Sequence, residues 1–150
     1  VVKEDTRLLD VGTGSGILGI TALKLGAKEV KGTDLDENAI VAVGENLKAN
    51  GIEPEQFQVM QGNILDDPTV QQWAGFGCYD VAVANILADV IIPLVDEIPV
   101  HLKKGGIFIS SGIINLKEQA VLEAFSRNQE LEVTEVTRQG EWVSVTARRK

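Results

Sequence analysis

The sequence predicts an α/β fold of the doubly wound kind, a mostly parallel seven-stranded sheet whose last strand runs antiparallel. Three observations lead there. Apolar strand-like runs alternate with helical segments along most of the chain, the pattern of successive βαβ units. A glycine-rich turn, Gly12-Thr13-Gly14-Ser15-Gly16, joins the first apolar run to the first helix. The last two strand-like runs are separated only by a short turn around Gly140, which has room for a hairpin and none for a crossover helix.

Taken in order, Leu8, Leu9 and Val11 make the first strand, and the helix after the glycine turn is closed by Gly26. A short second strand over 29–33 ends at Asp34. Asp36 is placed to cap the next helix, in which Ile40, Val43 and Leu47 supply an apolar face and Asn50-Gly51 provides the stop. The third strand covers 57–60, and 66–77 reads as a loop with one helical turn. Residues 79–84 form a fourth strand whose nearly continuous apolar run suits a buried parallel position. An interrupted helix over 89–102 leads to a turn at Lys103-Lys104-Gly105-Gly106 and a fifth strand over 107–110. Asn115 and Glu118 form a cap and counter-cap for a helix through Leu116, Ala120, Ala124 and Phe125. Strands over 131–137 and 142–147 then pair as the hairpin.

Composition bounds the function classes. A chain of 150 residues with 44% hydrophobic residues can build one compact core. The longest apolar stretch, 81–95, is broken by Asn85, Asp89 and Pro93 and falls short of the roughly 18 residues that a membrane span needs. Cys78 is the single cysteine, so no internal disulfide forms, and no leader pattern opens the chain; a cytoplasmic location is expected. With 14 Lys and Arg against 22 Asp and Glu the net charge is −8, which argues against direct nucleic acid binding and suits a cationic partner or simple solubility. No Met opens the chain and few residues precede the first strand, as expected of a domain from a longer protein.

In open α/β sheets ligands bind beyond the carboxyl ends of the strands, and four segments fall there. The glycine turn is the first, where missing Cβ atoms and a helix N-terminus let a nucleotide-like ligand approach the backbone. Gly14-x-Gly16-x-x-Gly19 spells the dinucleotide fingerprint, but Gly12 already occupies the strand end where that fingerprint should begin. Read from Asp10, the pattern acid-x-Gly-x-Gly-x-Gly resembles the first motif of S-adenosylmethionine-dependent methyltransferases. Asp34, closing the second strand about 20 residues further on, can accept both hydroxyls of a ribose. Gly62-Asn63-Ile64 follows the third strand, where Asn63 or nearby backbone could meet the polar edge of an adenine and Ile64 cover a face; an Asn there equally suits a self-made turn. Asn85-Ile86 follows the fourth strand. Its side-chain amide oxygen and the Ile86 carbonyl could fix the N–H bonds of an amine nucleophile, while capping of the next helix is the alternative.

Asp10 to Gly19 (DVGTGSGILG), Gly32 to Asp36 (GTDLD), Ala84 to Asp89 (ANILAD), Ser111-Gly112-Ile113 and Gly140-Glu141-Trp142-Val143 together resemble the catalytic domain of the bacterial ribosomal protein L-eleven methyltransferases. The likeness spans essentially the whole chain. It implies a Rossmann-like class I methyltransferase fold over 1–150, with S-adenosylmethionine as cofactor and lysine and N-terminal amino groups of a large-subunit ribosomal protein as substrate. In that family the glycine loop, the acid matching Asp34 and the asparagine matching Asn85 contact S-adenosylmethionine or the reacting centre; together with the strand-end reading this makes Asp10, Gly12, Thr13, Gly14, Gly16, Asp34, Leu35, Asn63, Ile64 and Asn85 the candidate cofactor residues, and Asn85 and Ile86 the candidates at the reacting centre. The family's N-terminal substrate-recognition domain and the Thr-rich segment before the first strand are not part of this sequence. A nicotinamide-dependent dehydrogenase domain and a cofactor-binding module without activity are the competing readings; the hairpin ending disfavours the former.

The other conspicuous residues read as structural. His101, near a helix end beside two lysines, suits the surface. Cys78 and Trp73 suit packing, Trp142 suits core packing with substrate contact as the alternative that its place in the family-like segment leaves open, and no His, Cys and acid cluster has metal-ligand spacing.

Overall fold

A computed structural model describes residues 2–150, which fall into two compact units that divide between Gly75 and Phe76. The predicted class is the one observed: a mixed seven-stranded sheet with the strand order β3-β2-β1-β4-β5-β7-β6.

The first unit contains β1 (Arg7–Val11), α1 (Ile17–Lys24), β2 (Glu29–Asp34), α2 (Glu37–Ala49), β3 (Phe57–Gln61) and α3 (Pro68–Ala74). β1 and β3 both pair parallel with β2, so Leu9, Lys31 and Gln58 stand side by side in the ladder. Leu8, Leu9 and Val11 are buried, as an uninterrupted apolar run in a parallel strand should be. Asp36 caps α2 through its side chain, which accepts the Asn38 N–H at 2.9 Å. The buried face of α2 is Ala39, Val43 and Leu47, one position behind the predicted Ile40, which is exposed. α3 is also longer than the single turn expected. Asp67 accepts the Thr69 N–H at 2.9 Å and Pro68 opens the helix at its first position, where its missing N–H costs nothing.

Gly19 fixes how α1 lies in this unit. A Cβ there would meet the Phe57 ring and Val30 Cγ1 at less than 3.0 Å, and both neighbours are buried. Gly19→Ala would gain about 1 kcal/mol of helix propensity but push against a core that cannot yield, costing about 1–3 kcal/mol. A net loss of about 1–2 kcal/mol is therefore expected in denaturant unfolding. Equal or greater stability would show that helix and strands separate freely here.

The second unit contains β4 (Tyr79–Asn85), α4 (Ala88–Glu97), β5 (Leu102–Ile114), α5 (Glu118–Arg127), β6 (Leu131–Gln139) and β7 (Trp142–Arg149). A single 3₁₀ turn, Ile98–Val100, follows α4 around Pro99, and Pro93 lies within the helix, which accounts for the interruptions expected there. β5 begins at Leu102 instead of Ile107. Lys103-Lys104-Gly105-Gly106 is an irregularity inside the strand, since Tyr79 pairs with Leu102 and Val81 with Ile107. Asn115 is not a helix cap: it opens a 3₁₀ turn, its N–H donates to Glu141 O at 2.8 Å, and Lys117 stands at the N-cap without a side-chain bond. Leu116 and Ala120 are consequently exposed, and Val121, Ala124 and Phe125 form the buried face. The predicted hairpin is present. Gln139 pairs with Trp142 across Gly140, whose φ of +60° suits the first central position of a two-residue turn. β7 lies between β5 and β6 and runs antiparallel to both.

Candidate functional site

In the first unit the ends of three parallel strands gather around the glycine turn. Gly12 and Thr13 both donate their N–H groups to Thr33 O, at 2.8 and 3.1 Å, and Gly16 N–H closes the turn on Thr13 O at 2.9 Å. The φ angles at Gly12, Gly14 and Gly16 are +72°, +56° and +85°, a left-handed path that side chains with a Cβ resist. Space above Gly14 is open, with no atom within 4 Å of where its Cβ would stand. Gly14 N–H donates to Asp34 Oδ2 at 2.9 Å, while Asp34 Oδ1 accepts the Asp36 N–H at 2.9 Å. β3 joins through Gly62 N–H, which donates to Asp34 O at 2.8 Å, and the Gln61 side chain, which donates to Leu35 O at 3.3 Å. Leu35 itself is largely exposed, an apolar side chain beside the carboxylate. Asn63 makes the self-turn that its residue type suits, its Oδ1 accepting the Leu65 N–H at 3.0 Å, and Ile64 is buried.

Asp10 lies beneath this turn and is buried. Its Oδ2 accepts the Thr13 hydroxyl at 2.9 Å, whereas Oδ1 has no hydrogen-bond partner among the described residues. Burial pushes the Asp10 carboxyl up to about 6; the Thr13 hydroxyl opposes this, the nearby Asp34 charge adds to it, and the Gly19 backbone opposes it. A buried carboxylate with an unanswered oxygen beneath an open glycine turn fits a ligand that brings a donor or a positive charge.

The second unit holds Asn85 and Ile86. Asn85 is the last residue of β4, opposite Ser111 of β5. The N-cap of α4 is Leu87, without a side-chain cap bond, so capping does not account for Asn85. Instead its amide meets Gly112. The β5 register shifts between Ser110 and Ile113, Gly112 takes φ +75°, and a Cβ there would come closer than 3.0 Å to Asn85 Oδ1 and to 3.5 Å from Ile86 O. The collision is with Asn85 Oδ1 alone, since 3.5 Å from Ile86 O is ordinary contact. Sequence reasoning assigned Gly112 no role, though an isolated glycine inside a strand pattern is the sign of a bulge or a close approach.

Two residues read as structural sit otherwise. Trp142, expected in the core, is 55% exposed because Val143, Val145 and Ala147 take the inward positions of β7. His101, expected at the surface, is 0% exposed: its Nε2 lies 2.8 Å from Glu97 Oε2 and its ring stacks on Phe76 at 5.3 Å. Lys31 is placed over the Trp73 ring, 4.7 Å from its centroid, so the indole faces a cation. No group of three or more His, Cys, Asp and Glu among the described residues could hold a metal ion.

Comparison with known proteins agrees in extent as well as kind. The family description "Ribosomal protein L11 methyltransferase (PrmA)" matches residues 1–150. Ribosomal protein L11 methyltransferase from Lachnospira eligens is 54% identical, over 99% of this chain and 47% of its own length. The protein of that name from Agathobacter rectalis is 50% identical, over 98% and 45%. The chain thus spans about half the length of the curated relatives it matches. The crystal structure of a ribosomal protein L11 methylase from Lactobacillus delbrueckii subsp. bulgaricus superimposes with a TM-score of 0.87 at 35% identity, covering 100% of this chain and 72% of that one. A SAM-dependent methyltransferase from Aquifex aeolicus, at 16% identity, TM-score 0.79 and coverage of 100% and 85%, shares the fold alone. Coverage from end to end, at identities this high, means that the chain belongs to the ribosomal protein L11 methyltransferase family.

Proposed function

We propose that this chain is the domain that binds S-adenosylmethionine and transfers its methyl group to lysine and N-terminal amino groups of ribosomal protein L11. The observation that carries this reading is the 2.9 Å bond from Gly14 N–H to Asp34 Oδ2, which locks the glycine turn to a strand-end carboxylate. The names of its relatives support the substrate.

Bound S-adenosylmethionine supplies an activated methyl group on a sulfonium; positioning falls to the chain. Gly12, Thr13, Gly14 and Gly16 offer a backbone that a ligand can approach. Each Asp34 oxygen accepts one backbone N–H and has a second lone pair, which suits a pair of ribose hydroxyls. Leu35 adds an exposed apolar side chain, and Asn63 and Ile64 contribute the loop after β3. Asp10 supplies negative charge beneath the turn. Asn85 Oδ1 and the Ile86 carbonyl accept the N–H bonds of the amine and so direct its lone pair; a deprotonated amine needs no further base. No helix among the described residues is long and apolar enough to cross a membrane.

Calorimetric titration of the chain with S-adenosylhomocysteine and, in parallel, with NAD tests the reading. Saturable binding of the first alone is expected. NAD binding alone would replace this reading with a dehydrogenase domain, and binding of neither would show that these residues do not complete a cofactor site. Asp34→Ala should weaken S-adenosylhomocysteine binding by about 1–3 kcal/mol; an unchanged affinity removes Asp34 from the site.

A further inference from the structure

The second unit carries a groove of about 220 Å³ next to Asn85 that the proposed chemistry leaves unused. Leu87, from the start of α4, lines it together with Gly112 and Ile114 of β5 and Trp142 of β7. Ile114 and Trp142 are cross-strand partners, and the Asn115 N–H bond to Glu141 O holds that corner of the hairpin in place. Leu87 and Trp142 are 74% and 55% exposed, a large apolar surface left to water in a chain with ample core. Asp89 and Lys117 complete the lining, with Lys117 Nζ at 3.6 Å from Asp89 Oδ1.

Two features identify the occupant. The groove is continuous with the proposed reacting centre, because Gly112 lines it and also stands against Asn85 Oδ1 and Ile86 O. Gly112 is thus the residue that the groove and the two acceptors share. The walls are apolar and the flank carries a carboxylate, in a protein of net charge −8; the complementary shape is an apolar stem with a cationic surround, as a lysine in a basic segment provides. A lysine already stands at that carboxylate, since Lys117 comes from the protein itself. Both partners of this pair are well exposed, so the contact is weak and readily exchanged.

We propose that this groove receives the substrate lysine, its methylene stem against Trp142 and Leu87, and that Lys117 holds Asp89 as an internal competitor until a positive charge of the incoming segment displaces it. This rests on the methyltransferase reading above and adds how the substrate enters. Trp142 and Leu87 are positioning residues here: they align the stem, and Asn85 and Ile86 meet the amine.

The test is steady-state methylation of ribosomal protein L11 by the full-length enzyme that contains this chain, separating KM from kcat, with S-adenosylhomocysteine affinity measured alongside. Trp142→Ala should raise KM for the protein substrate about tenfold, and Trp142→Phe should restore most of it. Lys117→Gln should lower KM about two- to threefold with kcat unchanged, a gain that loss of structure cannot mimic. Asp89→Asn should raise KM and abolish the benefit of Lys117→Gln in the double variant. Cofactor affinity should stay the same throughout. Active variants with unchanged KM at both Trp142 and Lys117 would overturn the groove assignment and leave the methyltransferase reading standing. A wild-type enzyme that binds no S-adenosylhomocysteine and methylates no amine would overturn both. If Trp142→Ala fails to fold, Lys117→Gln alone decides, a KM that does not fall counting against the proposal.

Discussion

Asn85→Ala is expected to slow methyl transfer by the full-length enzyme about a hundredfold, the scale on which a misdirected nucleophile loses rate, without lowering its thermal midpoint. The two halves of that expectation have separate origins. Stability should hold because Asn85 caps no helix: Leu87 stands at the α4 N-cap. Turnover should fall because the amide oxygen and the Ile86 carbonyl, both near the bulge at Gly112, are the acceptors proposed for the amine. Gly112→Ala should reproduce much of the loss from the opposite side, since its Cβ would occupy the place of Asn85 Oδ1 and its φ of +75° resists any side chain. Rates measured with protein substrate at saturating S-adenosylmethionine, together with melting curves, check both variants. Full turnover in Asn85→Ala would remove it from the reacting centre.

The second large effect concerns Asp10 and pH. Its carboxyl titrates at about 6 in the folded chain because it is buried, against about 3.9 for an unfolded aspartate. Between those values the folded state keeps a proton that the unfolded state has released, so stability declines as pH rises through this window. The decline reaches about 3 kcal/mol above about pH 7. Asp10→Asn cannot titrate and still accepts from Thr13, so its stability should change less between about pH 4.5 and about pH 7.5, by that amount. Urea unfolding of both proteins at the two pH values measures the difference; parallel curves would mean that Asp10 is ionised or solvated throughout. A cationic group brought to the ionised carboxylate offsets its burial cost, so S-adenosylmethionine should stabilise the chain more at about pH 7.5 than at about pH 5.

The parts of the fold that the sequence made legible are those where local chemistry and periodicity agree. Asp36 before a helical pattern, Asn50-Gly51 after it, and the two-residue turn at Gly140 each act through neighbours in the chain, and each is where it was expected. The misread parts depend on distant residues. Ile40 and Ala39 have equal claims to an apolar face until the strands beneath α2 decide between them. Asn115 and Glu118 have the spelling of a capping box, but the Asn115 N–H is drawn to Glu141 of the hairpin and a 3₁₀ turn results. Strand length misled in the same way at Lys103-Lys104-Gly105-Gly106, because a turn-like composition can be carried as an irregularity when the strand resumes beyond it.

The candidate site shows the same division. Asp34 and the glycine turn were visible as strand-end residues, and the structure joins them directly. The partnership of Asn85 with Gly112 was not visible, because it depends on a register shift in β5 that no spacing reveals. Trp142 was assigned to the interior on residue type, yet alternation along β7 gives the interior to Val143, Val145 and Ala147 and turns the indole outward.

The position of β7 between β5 and β6 also sets an order of assembly. β5 is made before the strand that covers its free edge, with α5 and β6 between them in the chain, so Ile107 must wait for Arg148. Until then a mostly apolar strand presents open backbone groups, the condition under which chains recruit one another. A chain cut short after Gln139 would therefore keep that edge open, and the eight residues of β7, Trp142–Arg149, serve as the closure that ends its exposure.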